Sequence, residues 1–276
     1  MTQVYDPPIV CKSCAVWNEA QAPFHVFGNT WYVGVRGLSV LLVDTGDGLV
    51  LIDGALPQSA ALINANIRSL GFQTEDVKLI LVSHVHYDHV GGIAALQRMS
   101  GADILTSGKG QIPLLRGNLE KDDPQFDVSA GESRFPPVAN VHVVRDRQTI
   151  ELGETRIVAH YTPGHTPGGI SYTWQSCDKV RCLDIVYADS LTPISADGYF
   201  FSDGQDPAAE QLVRSARRIA ELDCDIFLSN HPFRFDMEAR LARQDADRFV
   251  DADACRNYAV ASLAQLEKRM LIEASQ

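Results

Sequence analysis

From Leu79 to Gly92 the chain reads Leu-Ile-Leu-Val-Ser-His-Val-His-Tyr-Asp-His-Val-Gly-Gly, an apolar run stopped by three histidines and an aspartate within six residues. Such a run reads as a buried strand. Imidazole and carboxylate at this density are what a transition-metal site requires. His84, His86 and Asp88 alternate, so in extended chain they would share one face, while the adjacent Asp88 and His89 would point apart. One strand end could then serve two metals. Two further histidines sit in matching settings. His165 follows Ile157-Val158-Ala159 within Thr162-Pro163-Gly164-His165-Thr166-Pro167-Gly168-Gly169, and His231 follows Asp225-Ile226-Phe227 within Ser229-Asn230-His231-Pro232. Mixed or parallel sheets gather ligands at strand ends in this way. Five histidines and one aspartate suffice for two sites of three protein ligands each. Three protein ligands leave the open coordination position of a catalytic site.

The chain has 276 residues, enough for one large domain or two halves sharing a core. Read as a whole it is one domain over 1–276, with 1–23 an extended arm that carries Pro7-Pro8 and Cys11-x-x-Cys14. Its net charge, 24 − 35 = −11, disfavours nucleic acid, which selects a basic face. No apolar run reaches the ~18–20 residues of a membrane span. Met1-Thr2-Gln3-Val4-Tyr5-Asp6 lacks the apolar segment of a signal peptide. Either the protein is cytosolic or the numbering begins at a mature end. Six cysteines, most of them in short-spaced pairs, suit disulfides and an oxidising compartment, and so a periplasmic or secreted protein. Cys11-x-x-Cys14 also has the spacing of half a zinc knuckle or a redox motif, although no second CxxC exists and no strand precedes it.

Short strands are expected at Phe24–Phe27, Trp31–Val35, Ser39–Asp44 and Leu49–Asp53, the last two joined as a hairpin by Gly46-Asp47-Gly48. Pro57 suits the start of a helix that Gly71 stops. Gly91-Gly92 permit close backbone approach near the metal cluster and precede a helix over Ile93–Met99. A strand at Asp103–Thr106 and a helix around Gln111–Leu115 follow, then a long loop over 116–140. Strands near 141–145, 149–152, 155–160, 170–174, 183–187 and 225–229, with helices near 207–221, 236–247 and 252–272, complete the chain. Pattern alone defines a mixed α/β sandwich.

The His-x-His-x-Asp-His run, Pro163-Gly164-His165-Thr166-Pro167-Gly168-Gly169 and the final strand-end His231 resemble the metallo-β-lactamase superfamily. Gly28-Asn29-Thr30-Trp31-Tyr32-Val33-Gly34, Val50-Leu51-Ile52-Asp53-Gly54, Asn66-Ile67-Arg68 and Tyr187-Ala188-Asp189-Ser190-Leu191-Thr192 are similar to segments of its third metallo-β-lactamase subclass. The likeness covers roughly 17 to 270. It implies an αβ/βα sandwich: two mixed β-sheets face to face, helices on the outer faces, metals at the sheet edge. It implies two Zn2+ per chain, His84, His86 and His165 holding one and Asp88, His89 and His231 the other, although iron or manganese also occurs in the superfamily. A hydroxide shared by the metals would attack a β-lactam, a small-molecule substrate such as a penicillin, cephalosporin or carbapenem, and would confer antibiotic resistance. Asp88 would accept a hydrogen bond from that nucleophile. Ser190 and Thr192 would face the cleft as substrate-carboxylate or water contacts, Tyr199 could assist the oxyanion, and the 116–140 loop would border the cleft. A monomer with no membrane span and no nucleic-acid partner is expected.

The resemblance also implies the bridges Cys177–Cys182 and Cys224–Cys255; a Cys11–Cys14 bridge is proposed from their short spacing alone, with the zinc-knuckle and redox readings beside it. Asp189 carries an alternative. In thioester, lactone or phosphodiester hydrolases of the superfamily an aspartate in a similar motif bridges both metals. Asp53-Gly54, at a strand end, is expected to support a ligand imidazole. Ser176-Cys177-Asp178-Lys179 has the S-x-x-K spacing of serine β-lactamases but none of their companion motifs. His25, His142 and His160 lack companions at ligand spacing and read as structural or surface residues.

Overall fold

Alternating burial along two neighbouring strands explains the layering. In β3 (Leu41–Asp44) and β4 (Leu49–Ile52), Leu41, Val43, Val50 and Ile52 enter one apolar cluster while Leu42, Leu49 and Leu51 enter another. Strands covered on both faces read as continuous apolar runs, as these do. The protein, a computed structural model, is described over residues 4–127, 133–204 and 207–275. Residues 1–3 of the arm and 128–132 of the long loop lie outside the described residues.

One sheet runs in chain order through β1 (Phe24–Phe27), β2 (Thr30–Tyr32), β3, β4, β5 (Val77–Leu81), β6 (Asp103–Thr106) and β7 (Val141–Val143). Pairing is antiparallel up to β4 and parallel from β4 to β7. The other sheet has the order β12-β11-β10-β9-β8, built from β8 (Thr149–Leu152), β9 (Thr155–Tyr161), β10 (Ile170–Cys177), β11 (Cys182–Ala188) and β12 (Ile226–Ser229). Only its β11–β12 pair is parallel. Cross-sheet bonds lock the inner faces: Trp174 Nε1 donates to Thr30 Oγ1 (3.0 Å) and the Tyr172 hydroxyl to the Val82 carbonyl (2.8 Å). Each adds about 1 kcal/mol net, but a buried donor left without its partner would cost roughly 1–3 kcal/mol.

The first sheet is covered by α2 (Ala60–Ser69) and α4 (Ile93–Ser100), whose Ile63, Ile67 and Leu96 pack with Leu42, Leu51 and Ile80. The second is covered by α6 (Ala208–Ala220) and α8 (Ala254–Glu273), with Tyr258 of α8 against Phe227 of β12. Between β5 and α4 lies one helical turn, α3 (Tyr87–Val90), and α5 (Gly108–Arg116) follows β6. This is the expected αβ/βα sandwich. Among the described residues no helix is long and apolar enough to cross a membrane.

Three local expectations differ from the structure. The arm is not extended throughout, because α1 (Cys14–Trp17) forms a helical turn closed by the Cys11–Cys14 disulfide. Helix α5 starts at Gly108, not near Gln111, because Ser107 caps it by accepting from the Gly110 amide (3.2 Å). The helix expected over 236–247 is only α7 (Met237–Leu241). There Arg240 donates to the carbonyls of Phe235 (2.9 Å) and Arg248 (3.2 Å) and to Asp251, drawing the following chain back onto the helix. Cys177–Cys182 staples the β10–β11 hairpin at its turn end, and Cys224–Cys255 ties the approach to β12 to α8.

Candidate metal centre

The six expected ligand positions all follow strand ends on one edge of the sandwich. Strand β5 stops at Leu81, and His84 and His86 follow without regular structure. His86 is extended (φ −114°, ψ 152°) and opens α3, where the His89 amide donates back to the His86 carbonyl (2.9 Å). This turn corrects the extended-chain reading. Asp88 does not share a face with His84 and His86, nor does it point away from His89. The helical turn swings it to the other grouping, with its Oδ2 3.3 Å from His89 Nε2 and 3.7 Å from His231 Nε2. The donor atoms form two sets, His84–His86–His165 and Asp88–His89–His231, each with its atoms within 4.8 Å of one another.

Four imidazoles have their outer nitrogen turned to an oxygen acceptor. His84 Nδ1 donates to Asp189 Oδ1 (2.6 Å), His165 Nδ1 to the Thr192 carbonyl (2.8 Å), and His86 Nε2 lies 3.2 Å from both Asp123 oxygens. His231 Nδ1 faces the Gly37 carbonyl at 3.4 Å. Protons on these outer nitrogens leave the inner lone pairs directed into the cluster. His84 Nε2 is buried and has no hydrogen-bond partner, the state of a nitrogen reserved for a cation.

Electrostatics agree with that arrangement. Burial, then the neighbouring imidazoles, hold His84 well below the usual histidine value. Burial and His86 push His165 down to about 3, and burial and His89 push His231 to about 4. Burial opposes ionisation of Asp88, yet His89, His231 and His86 together hold its carboxyl well below the ordinary range. Burial opposes protonation of His89, but Asp88 and Asp53 raise it above the usual histidine value, so a cation binding there displaces a proton. Five imidazoles and one carboxylate, all nitrogen or oxygen donors, suit a zinc-type cation.

Asp189 belongs to neither set. Fully buried after β11, it sits behind the His84 ring, on the nitrogen facing away from the cluster. It therefore orients a ligand and does not bridge. The absence of a side chain at Gly169 makes room for it, since a Cβ there would lie 2.2 Å from Asp189 Oδ2. Asp189→Ala is expected to weaken zinc binding about 10–100-fold while sparing turnover at saturating zinc. Zinc titration against a competing chelator, followed by assay with zinc in excess, checks this. Turnover lost even in excess zinc would return Asp189 to a bridging role.

Asp53 is also second in line, but it holds no imidazole. Its carboxylate accepts from the Ser83 amide (2.8 Å), the Ser83 hydroxyl (2.7 Å) and the Tyr187 hydroxyl (2.7 Å), fixing the residue that precedes His84. Ser190, expected in the cleft, is 3% exposed and donates its hydroxyl to Asn230 Oδ1 (3.0 Å). Thr192 holds His165 through its carbonyl and accepts from Arg234 at its hydroxyl (2.8 Å). Tyr199 joins neither set; its hydroxyl is buried and its ring stands edge-on to Phe201, a position from which no oxyanion role follows. Gly92 closes on protein, not on the cluster, since a Cβ there would lie 2.2 Å from the Gly54 carbonyl. His25 and His142 are exposed, and His160 bonds Thr173 (2.9 Å).

Sequence reasoning missed two polar residues of this centre. Asp123 lies in the long loop, 37 positions from the His86 it holds, with only the Asp122-Asp123-Pro124 turn as a signal. Asn230 donates to Asp189 Oδ1 (3.1 Å), and its place next to His231 was the available clue. The loop does border an open cleft of about 240 Å³, where Leu119, Gln125 and Asp127 face His86, Ile194 and Ser195.

The model of the metallo-beta-lactamase superfamily matches residues 33–231, and the chain belongs to that superfamily. Two solved structures are similar over nearly their whole length. The Rm3 metallo-beta-lactamase is 46% identical with a TM-score of 0.92, covering 97% of this chain and 100% of its own. MEM-A1, a subclass B3 metallo-beta-lactamase isolated from a soil metagenome library, is 44% identical with a TM-score of 0.90, covering 94% and 99%. Within the superfamily the chain thus groups with the subclass B3 metallo-β-lactamases. Among curated relatives, the uncharacterized protein YobT of Bacillus subtilis (strain 168) is 32% identical over 149 residues, 52% of this chain. The chain spans 59% of that relative's length.

Proposed function

We propose that this protein is a zinc-dependent hydrolase that opens the amide bond of β-lactams, carbapenems included, and so confers antibiotic resistance. One observation carries the reading: two sets of three convergent donors, with the outer nitrogens of four imidazoles already committed, in a chain 46% identical to Rm3 over nearly its full length. The donor count supports two Zn2+ per chain, His84, His86 and His165 holding one and Asp88, His89 and His231 the other. Zinc, when bound, supplies Lewis acidity and lowers the pKa of water toward about 7.

The chain's own residues do the rest. Asp123, Asp189 and the Thr192 carbonyl fix three imidazole orientations before substrate arrives, which lowers the reorganisation needed during reaction. Asp88, ionised and buried, accepts a hydrogen bond from the attacking water and so orients it. Ser190, its hydroxyl bonded to Asn230, has no base beside it that would make it a nucleophile. Three disulfides and no free cysteine support a periplasmic or secreted location.

The test is hydrolysis of a carbapenem and a cephalosporin by purified protein, with and without a chelator. Turnover is expected to vanish with the chelator and return with zinc. Fully metallated protein inert toward both, yet active on a thioester, lactone or phosphodiester, would overturn the reading.

A further inference from the structure

We infer that Arg269 and Glu273, a pair on the last helix, are positioning residues that set one wall of the substrate cleft and through it the choice among β-lactam side chains. The inference rests on the β-lactam reading above and deepens it with two residues that touch neither donor set.

Among the described residues five carboxylates are buried: Asp53, Asp88, Asp123, Asp189 and Glu273. The first four serve the metal centre as ligand or support, and Glu273 has no part in it. Glu273 ends α8 with its side chain 2% exposed. A carboxylate is costly to bury unless it is paired and hydrogen-bonded. Here Oε1 accepts from Arg269 Nε, one helical turn back, and Oε2 accepts from the Ser202 amide (2.9 Å). Arg269 extends the tie into the same loop. Its Nη2 donates to Ser195 Oγ (3.0 Å) and to the Tyr199 carbonyl (3.3 Å), and its guanidinium lies 5.9 Å from the centre of the buried Phe201 ring. The pair thus holds Ser195, Tyr199, Phe201 and Ser202 in a stretch that has no strand or helix of its own.

The stretch so held faces the first donor set. Ile194, Ser195 and Ala196 line the open cleft beside His86, across from Gln125 and Asp127. The Ala196 amide donates to the Pro124 carbonyl (2.9 Å), which fixes the gap between this wall and the loop whose Asp123 holds His86. Ile194 is 50% exposed, an apolar side chain available to an apolar group of the substrate. A wall built on a loop keeps a defined geometry only where packing and hydrogen bonds support it from behind. Arg269 and Glu273 supply that support without approaching the metals. Their loss therefore weakens contacts to the part of the substrate remote from the reacting bond, and it acts on KM for side chains that reach the wall.

The experiment uses zinc-loaded protein and two penicillins with the same nucleus, one acylated by an aromatic side chain and one by a formyl group. Arg269→Met keeps an apolar stem against Phe201 and removes the donors. It is expected to raise KM for the aromatic penicillin roughly 10-fold, to move KM for the formyl compound less than about 2-fold, and to leave kcat for both within about 3-fold. A staple that served stability alone would act on both compounds alike. Arg269→Lys, which keeps the charge and a donor, is expected to recover part of the aromatic preference. Ile194→Ala is expected to give the same selective loss, and its combination with Arg269→Met to lose no more than either alone, because both act through one wall. Should Arg269→Met fold poorly with Glu273 left unpaired, Arg269→Met/Glu273→Gln removes the buried charge and repeats the measurement. Equal losses for the two penicillins, a fall in kcat without a rise in KM, or unchanged kinetics in a folded, zinc-loaded variant would overturn the inference alone. A wild-type protein that hydrolyses neither penicillin would overturn the proposed function and this inference with it.

Discussion

Asp88→Asn is expected to lower β-lactam turnover by about 10²–10³-fold in a protein that still folds. The substitution is nearly isosteric, so the packing of α3 survives. What it removes is charge and a hydrogen-bond acceptor at one buried position. Asp88 is ionised because His89, His231 and His86 outweigh the burial that opposes it. An amide at this position presents the hydrogens of its NH2 where the carboxylate presents lone pairs. Asn also weakens the Asp88–His89–His231 set, so kcat must be read beside zinc content by metal analysis. Retention of two zinc ions with kcat cut by two orders of magnitude assigns the loss to orientation of the attacking water. A kcat within 10-fold of wild type at full zinc occupancy would remove Asp88 from the chemistry.

The second large effect is on stability. Asp53→Ala strips the acceptor from three buried donors, the Ser83 amide and hydroxyl and the Tyr187 hydroxyl. Each donor left unmatched costs roughly 1–3 kcal/mol. Asp53 also sits at φ +64°, a left-handed conformation that aspartate tolerates better than alanine, which adds about 1–2 kcal/mol. A loss of about 4 kcal/mol or more is expected in denaturant unfolding of the metal-free protein. Asp53→Asn, which keeps one acceptor oxygen and tolerates this backbone, is expected to lose less than half of that. Because Ser83 precedes His84, zinc affinity falls in the Ala variant as well, through loss of the strand-end geometry. An Ala variant within 1 kcal/mol of wild type would show that the carboxylate does not hold this loop.

The expected ligand types could be found in the chain because they stand at the ends of apolar runs, and strand ends are local features. His84, His165 and His231 each follow such a run, and the disulfide partners lie close in sequence except for Cys224 and Cys255, whose pairing came from the family resemblance. Helix boundaries failed where a side chain bonded backbone in a way the hydrophobic period does not carry: Ser107 starts α5 at Gly108, and Arg240 draws the Arg248 carbonyl back where α7 stops.

Sequence alone determined the inventory: five histidines and one aspartate at strand ends, alternating apolar strands, and an acidic chain with cysteines suited to bridges. Only the tertiary structure decided how that inventory is used. It set Asp88 beside His89 by a helical turn, put Asp189 behind His84, and brought Asp123 across 37 residues to His86. The physical reason is range. Residue type and hydrophobic period act over a few neighbours, whereas the partner of a buried nitrogen is chosen by which distant strand end the folded sheets bring within hydrogen-bonding distance.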